Sequence, residues 1–230
     1  MKFSYIKSCL FAAFTATVLL SCSKMNDLHD EYLKRGETIY IGKLDSLRTF
    51  AGKERILLRY WSSDPKAVQM TLYWNLRTDS MTLSIPSHAA NDSVDVWLPN
   101  LPEYSYSFEA VSRNAEGTKR SIAYPFNANT YGDLFEASLT NRLTEYARHR
   151  GDNRLEVRWF GAIERAVGTE VFYTDTDNQS KTRFVPISEV LTTIQNVKGD
   201  IRYRTLFLPE ETAVDTFYTE SIVPQITKVP

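Results

Sequence analysis

The chain has 230 residues, with 27 basic against 28 acidic side chains and a net charge of −1, which offers no positive field for nucleic acid. Its two cysteines, Cys9 and Cys22, both lie near the N-terminus, so the remainder has no disulfide, thiolate metal ligand or cysteine nucleophile. Thirteen Tyr, twelve Phe and four Trp, together with many Val, Ile and Thr, favour strands over helices.

At the N-terminus, Lys2 and Lys7 precede an apolar run, Leu10 to Leu20, broken only by Thr15 and Thr17. That run is too short to span about 30 Å of hydrocarbon. Leu19-Leu20-Ser21-Cys22 then reads as a lipoprotein cleavage box, with a small residue before the cysteine. Residues 1–21 are therefore expected to be a lipoprotein signal peptide, and Cys22 the lipidation site that holds the chain on a membrane. Loss of Lys2 and Lys7 leaves 25 basic against 28 acidic residues, a net charge near −3. The expected location is the bacterial outer membrane, lipid-anchored. Residues 22–37 form the lipidated stalk, where Asn26 and Gly36 bracket a short helix as its cap and its stop.

Beyond the stalk, blocks recur in the same order. Ile56-Leu57-Leu58-Arg59-Tyr60-Trp61 aligns with Leu155-Glu156-Val157-Arg158-Trp159-Phe160 at an offset of 99. Leu72-Tyr73-Trp74 aligns with Phe172-Tyr173-Thr174 at 100, and Tyr106 with Tyr203 at 97. A module of about a hundred residues, the size of an immunoglobulin-like sandwich, is therefore present twice. Period-two alternation predicts strands: Ile56, Leu58 and Tyr60 on one face, and Val94, Val96 and Leu98 inward against Asp95 and Trp97 outward. Turns are expected at Asp64-Pro65, Asn114 to Gly117, Asp175 to Asn178 and Lys198-Gly199-Asp200.

These blocks resemble fibronectin type III modules. Tyr60 and Trp159 match the large ring near the end of the second strand. Leu101-Pro102 before Tyr106, and Val197-Lys198-Gly199 before Tyr203, resemble the corner whose tyrosine buries its ring and caps a backbone group. The fold class expected is all-β: two tandem immunoglobulin- or fibronectin-III-like sandwiches after a short N-terminal stalk. The first domain spans 38–126, a linker 127–137, the second domain 138–222 and a tail 223–230. The stretches Met25 to Tyr32, Gly36 to Tyr40, Arg55 to Arg59 and Tyr131-Gly132-Asp133 are also similar to an uncharacterised family of Bacteroidota lipoproteins, a domain of unknown function. That resemblance implies work beside polysaccharide-uptake systems.

Catalytic constellations do not assemble. His29, His88 and His149 have no metal-ligand spacing, and no serine sits in a Gly-x-Ser-x-Gly elbow. Asp175-Thr176-Asp177-Asn178 lacks the glycine and closing glutamate of a calcium loop and reads as a hairpin turn. Arg150-Gly151-Asp152 likewise reads as a turn. No catalytic residue, metal or cofactor is expected, and the chain is not read as an enzyme. Asp45-Ser46-Leu47, Asp79-Ser80-Met81 and Asp92-Ser93-Val94 make Ser46, Ser80 and Ser93 candidate O-glycosylation sites. Trp61, Trp97, Arg59 and Asp95 are the candidate ligand-binding residues, since alternation places them on one outer sheet face where indoles stack on a sugar. The expected function is non-enzymatic assistance to polysaccharide binding or uptake. The alternative is a structural spacer or assembly protein that binds other envelope proteins. Expected partners are the membrane through the lipid, polysaccharide or envelope uptake proteins, and no nucleic acid.

Overall fold

Alternation of buried Ile56, Leu58 and Tyr60 with half-exposed Leu57, Arg59 and Trp61 builds the first sheet of the molecule. The computed structural model describes residues 40–87 and 92–228. The expected signal peptide, Cys22, the stalk helix, His29 and His88 lie outside them. From Ile41 onward the chain forms one compact unit.

The first half contains β1 (Ser46–Ala51), β2 (Ile56–Trp61), β3 (Gln69–Trp74), β4 (Asp79–Ser84), β5 (Val94–Leu98), β6 (Ser105–Arg113) and β7 (Tyr124–Asn129). They form a three-stranded sheet in the order β1-β2-β5 and a four-stranded sheet in the order β4-β3-β6-β7, every pairing antiparallel. Helix α1 (Asp133–Ser138) follows. The second half contains β8 (Thr144–Arg150), β9 (Arg154–Trp159), β10 (Ala166–Asp175), β11 (Ser180–Pro186), β12 (Leu191–Ile194), β13 (Val197–Phe207), β14 (Phe217–Tyr218) and β15 (Ile226–Lys228). Their sheets run β12-β9-β8-β15 and β11-β10-β13-β14. Both halves therefore repeat one plan, and the chain is an all-β tandem of fibronectin-III-like sandwiches.

Each sandwich closes over its own core. In the first, Ile56, Leu58, Met70, Leu72, Leu98 and Phe108 are buried together, each contributing about 1.5–3 kcal/mol by leaving water. The second packs Leu155, Val157, Trp159, Val171, Val185 and Ile201. The repeat aligns β2 with β9 as expected, with Tyr60 and Trp159 both buried. At β3 and β10 the alignment shifts by one residue. Leu72 is buried and its counterpart in the second module is buried Val171, while Phe172 is partly exposed, so the offset there is 99. Period two makes such a slip visible, because one residue exchanges the faces.

The corner tyrosines are buried and capped, but differently. The Tyr106 hydroxyl donates to the Pro102 carbonyl at 2.9 Å, within its own corner. The Tyr203 hydroxyl donates instead to the Arg142 carbonyl at 2.8 Å, ahead of β8. Val197-Lys198-Gly199 is no corner, and Lys198-Gly199-Asp200 is no turn, because all of them lie inside β13. The register with β10 jumps between Arg202 and Lys198, and Gly199 takes φ +76° there. The glycine signal marks a bulge. Asp175 to Asn178 does turn: Asp175 Oδ1 accepts from the Asp177 and Gln179 amides. Arg150-Gly151-Asp152 enters the β8–β9 hairpin, where Asp152 and Asn153 take φ +67° and +55°.

Two connecting segments carry structure. Within 127–137, Asn127 to Asn129 complete β7 and α1 begins at Asp133. Within 223–230, β15 adds in parallel to β8.

Candidate functional site

Register places Arg59 directly opposite Asp95, and Leu57 opposite Trp97. Alternation then brings Arg59, Trp61, Asp95 and Trp97 to the same outer face of the β1-β2-β5 sheet. Arg59 grips Asp95 through two parallel bonds of 2.7 Å, which holds that carboxyl below its ordinary pKa. Trp97 is 45% exposed and Trp61 is partly covered. Trp61 stands four residues along β2 from the position opposite Trp97, about 13 Å at the usual strand rise. The ion pair lies between the two indoles.

Guanidinium groups cover these rings. Arg55 lies 4.4 Å over Trp97, Arg59 5.4 Å over Phe50 and Arg48 5.8 Å over Trp61. The habit extends to the second module, where Arg148 caps Tyr146 at 4.1 Å and Arg204 caps Tyr218 at 3.8 Å. These five rings are thus held in cation–π stacks, each worth about 0.5–1 kcal/mol at exposed sites. A ligand approaching Trp97 meets the Arg55 guanidinium before the indole.

Arg55 leads to the joint between the modules. Its Nε and Nη2 donate to the two oxygens of Asp215 at 2.8 and 2.5 Å, and the Lys53 amide donates to Asp215 Oδ2 at 2.8 Å. The Arg55 hydrogen bonds are the largest cause lowering the Asp215 pKa. Gly52 stands beside this carboxylate, where a Cβ would come within 2.5 Å of Asp215 Oδ2. The Val214 amide donates to the Ala51 carbonyl at 2.9 Å. Lys53 Nζ reaches Glu136 of α1 at 2.7 Å. Glu210 accepts from Asn129 at 2.8 Å and from the Tyr131 hydroxyl at 3.1 Å. Tyr131, Phe135 and fully buried Phe217 meet edge to face, with centroids 5.0–6.2 Å apart. The β1–β2 turn, the connector around α1 and the β13–β14 loop therefore lock together.

Sequence reading placed Arg59, Asp95 and the two tryptophans but missed the pairing of Arg55 with Asp215, which lie 160 positions apart. It also missed Arg142, a fully buried arginine whose Nε donates to the Phe160 carbonyl at 3.0 Å while burial lowers its pKa. Ser46, Ser80 and Ser93 are all exposed. Ser46 opens β1, Ser80 lies in edge strand β4, and Ser93 precedes edge strand β5. Among the described residues no group of His, Cys, Asp and Glu could hold a metal ion.

Among solved structures, a two-domain fibronectin type III segment of chicken tenascin is 13% identical, covering 79% of this chain and 97% of its own, with a TM-score of 0.31. The FN1–FN3 domains of chicken CNTN1 are 10% identical over 82% of this chain and 65% of theirs, with a TM-score of 0.43. The BSP domain of a biofilm-associated protein is 14% identical over 81% and 30%, with a TM-score of 0.30. No curated protein matches the sequence. The family model for DUF4998, described as a domain of unknown function, matches residues 22–217. With that match spanning most of its length, the chain belongs to the DUF4998 family.

Proposed function

We propose that this chain is a non-enzymatic, lipid-anchored protein of the bacterial outer membrane that assists polysaccharide binding or uptake as one rigid two-module arm. The joint is the observation that carries this reading. Asp215 ties the two modules through three hydrogen bonds, beside a shared aromatic cluster, and so fixes the direction in which their surfaces face. Cys22 is the anchor, and among the described residues no helix is long and apolar enough to cross a membrane. The carboxyl with the largest shift, Glu156 at about 2, belongs to a surface cluster with Arg150, Arg148 and Tyr146, which is structural rather than catalytic chemistry. The family resemblance supplies the polysaccharide context.

Trp97, exposed beside the Arg59–Asp95 fork, supports direct saccharide contact, with the indole stacking and the fork bonding to hydroxyls. The second reading, a structural spacer or assembly protein, is favoured by the Arg55 cover on that same indole. Sugars attached at Ser46, Ser80 and Ser93 would decorate strand edges and block edge-to-edge association.

A glycan array of residues 23–230, run beside Trp97→Ala, separates the readings. Polysaccharide binding that falls at least tenfold in the variant is the expected result. Absence of binding to every glycan would leave the spacer reading. For the anchor, Cys22→Ala is expected to move the protein from the membrane to the soluble fraction, and retention would mean a protein tether.

A further inference from the structure

On the other sheet of the first module, β6 carries a small outward side chain, Ser107, between taller walls. Register sets Tyr73 of β3 on one side of Glu109 and Pro125 of β7 on the other. The result is a trough of about 520 Å³, lined by Tyr73, Leu76, Arg77, Ser107, Glu109 and Asn127 among others. That volume falls in the range of about 300–1,000 Å³ usual for small-molecule sites.

Polar groups in the trough are arranged as donors beside acceptors with no excess charge. Arg77 Nε and Nη2 both donate to Glu109 Oε2, the first at 2.7 Å, so Arg77 Nη1 and Glu109 Oε1 have no hydrogen-bond partner among the described residues. Ser107 donates to Asn127 Oδ1 at 3.0 Å, which leaves the Asn127 amide hydrogens for a ligand. Tyr73 is fixed from both ends: its hydroxyl accepts from Arg113 at 2.9 Å, and Arg77 lies 5.3 Å from its ring.

The turn that delivers Arg77 is strained. Asn75, Leu76 and Arg77 take φ of +47°, +54° and +66° in succession, a left-handed turn built without glycine. Such a conformation costs roughly 1–2 kcal/mol per residue. Hydrogen bonds hold this β3–β4 turn, from Asn75 Nδ2 to Asp79 and from Thr78 Oγ1 and the Thr78 amide to the Asn75 carbonyl, while Leu76 is 101% exposed at the lip of the trough. What the turn achieves is placement of Arg77 over Glu109 with an apolar side chain beside it. Residues held in such sparsely populated conformations cluster at active sites, ligand clamps and switch regions.

We propose that this trough is a binding site for a neutral saccharide chain. An uncharged ligand rich in hydroxyls matches a cleft whose one cation and one anion already cancel, while Arg77 Nη1, Glu109 Oε1 and the Asn127 amide bond adjacent hydroxyls. Leu76, Tyr73 and Pro125 receive the C–H faces. This deepens the polysaccharide reading and rests on it, but at a different surface from Trp97.

Amide chemical-shift titration of isotope-labelled residues 23–230 tests the site with maltohexaose, cellohexaose, xylohexaose and mannohexaose, against an oligogalacturonate of equal length. At least one neutral hexasaccharide is expected to shift the amides of Tyr73, Ser107 and Asn127. Affinity is expected to fall at least tenfold in Asn127→Ala and in Ser107→Arg, which fills the trough from an exposed strand position, and to stay within twofold in Ser180→Ala on β11 of the second module. Binding lost in Trp97→Ala but kept in both trough variants overturns the site and preserves the polysaccharide reading. Tighter binding of the oligogalacturonate, or no shift with any neutral chain, also overturns it.

Discussion

Tyr60 and Tyr106 are both buried rings of the first module, yet their hydroxyls are treated differently. Tyr106 donates to Pro102, whereas the Tyr60 hydroxyl is buried with no hydrogen-bond partner among the described residues, and burial pushes its pKa up to about 12. An unpaired buried hydroxyl costs about 1–3 kcal/mol, while a satisfied one contributes about 1 kcal/mol. Tyr60→Phe is therefore expected to leave stability unchanged or raise it by about 1 kcal/mol, and Tyr106→Phe to lower it by about 1 kcal/mol, both read by urea denaturation. A loss in Tyr60→Phe as large as that in Tyr106→Phe would contradict this assignment. The pH consequence has a definite sign. Because the folded pKa of Tyr60 is raised above 10.0, its contribution is intact below pH 10 and is lost as pH rises toward 12. Tyr60→Phe is expected to flatten the alkaline arm of the stability profile.

At the scale of elements, the turn joining β1 to β2 is held by a carboxylate from the far module. Asp215→Ala leaves the Lys53 amide and the Arg55 guanidinium without their acceptor. The pair is partly exposed, with Arg55 at 43%, so screening reduces its worth, and the expected loss is about 1–2 kcal/mol. Gly52→Ala is expected to cost a similar amount, because its Cβ would press on the same carboxylate and on the Arg55 carbonyl 3.1 Å away. Denaturation midpoints of both variants check this, and wild-type stability in either would contradict it. Much of each sandwich was legible because period-two patterning is local: Ile56-Leu58-Tyr60 and Leu155-Val157-Trp159 announce their buried faces, and Arg59 and Asp95 fall opposite one another by strand order alone. The joint was not legible, since Asp215 lies in a loop whose neighbours show no pattern pointing at Arg55. Gly199 misled for a related reason. Glycine signals a positive φ without saying whether the chain turns back or bulges within a strand, and only pairing with β10 decides. The Arg55 cover on Trp97 depends on the joint and was hidden with it.

At the scale of the described molecule, Asp215 and the Tyr131–Phe135–Phe217 cluster join the two sandwiches, and the proposed arm requires that they move as a single body. Acid is expected to test that unity. Glu156, lowered from 4.5 to about 2 chiefly by Arg150, and Asp215, lowered from 3.8 by Arg55, stabilise the fold above their unfolded values and lose that contribution as pH falls. Stability is expected to be constant from neutral pH to about 4.5 and to decline toward pH 2, with Asp215→Asn removing part of the decline. A profile flat to pH 2 would contradict the ion-pair assignments. The most direct test of the fused arm uses the absence of cysteine after residue 22, which makes site-specific labelling clean. Spin labels at Ser84→Cys on β4 and Ser180→Cys on β11, in residues 23–230, report the distance between modules by double electron–electron resonance. A single narrow distance distribution that broadens when Asp215→Ala is added is the expected result. A broad distribution in the otherwise unaltered protein would show two modules swinging on a linker and would contradict the account.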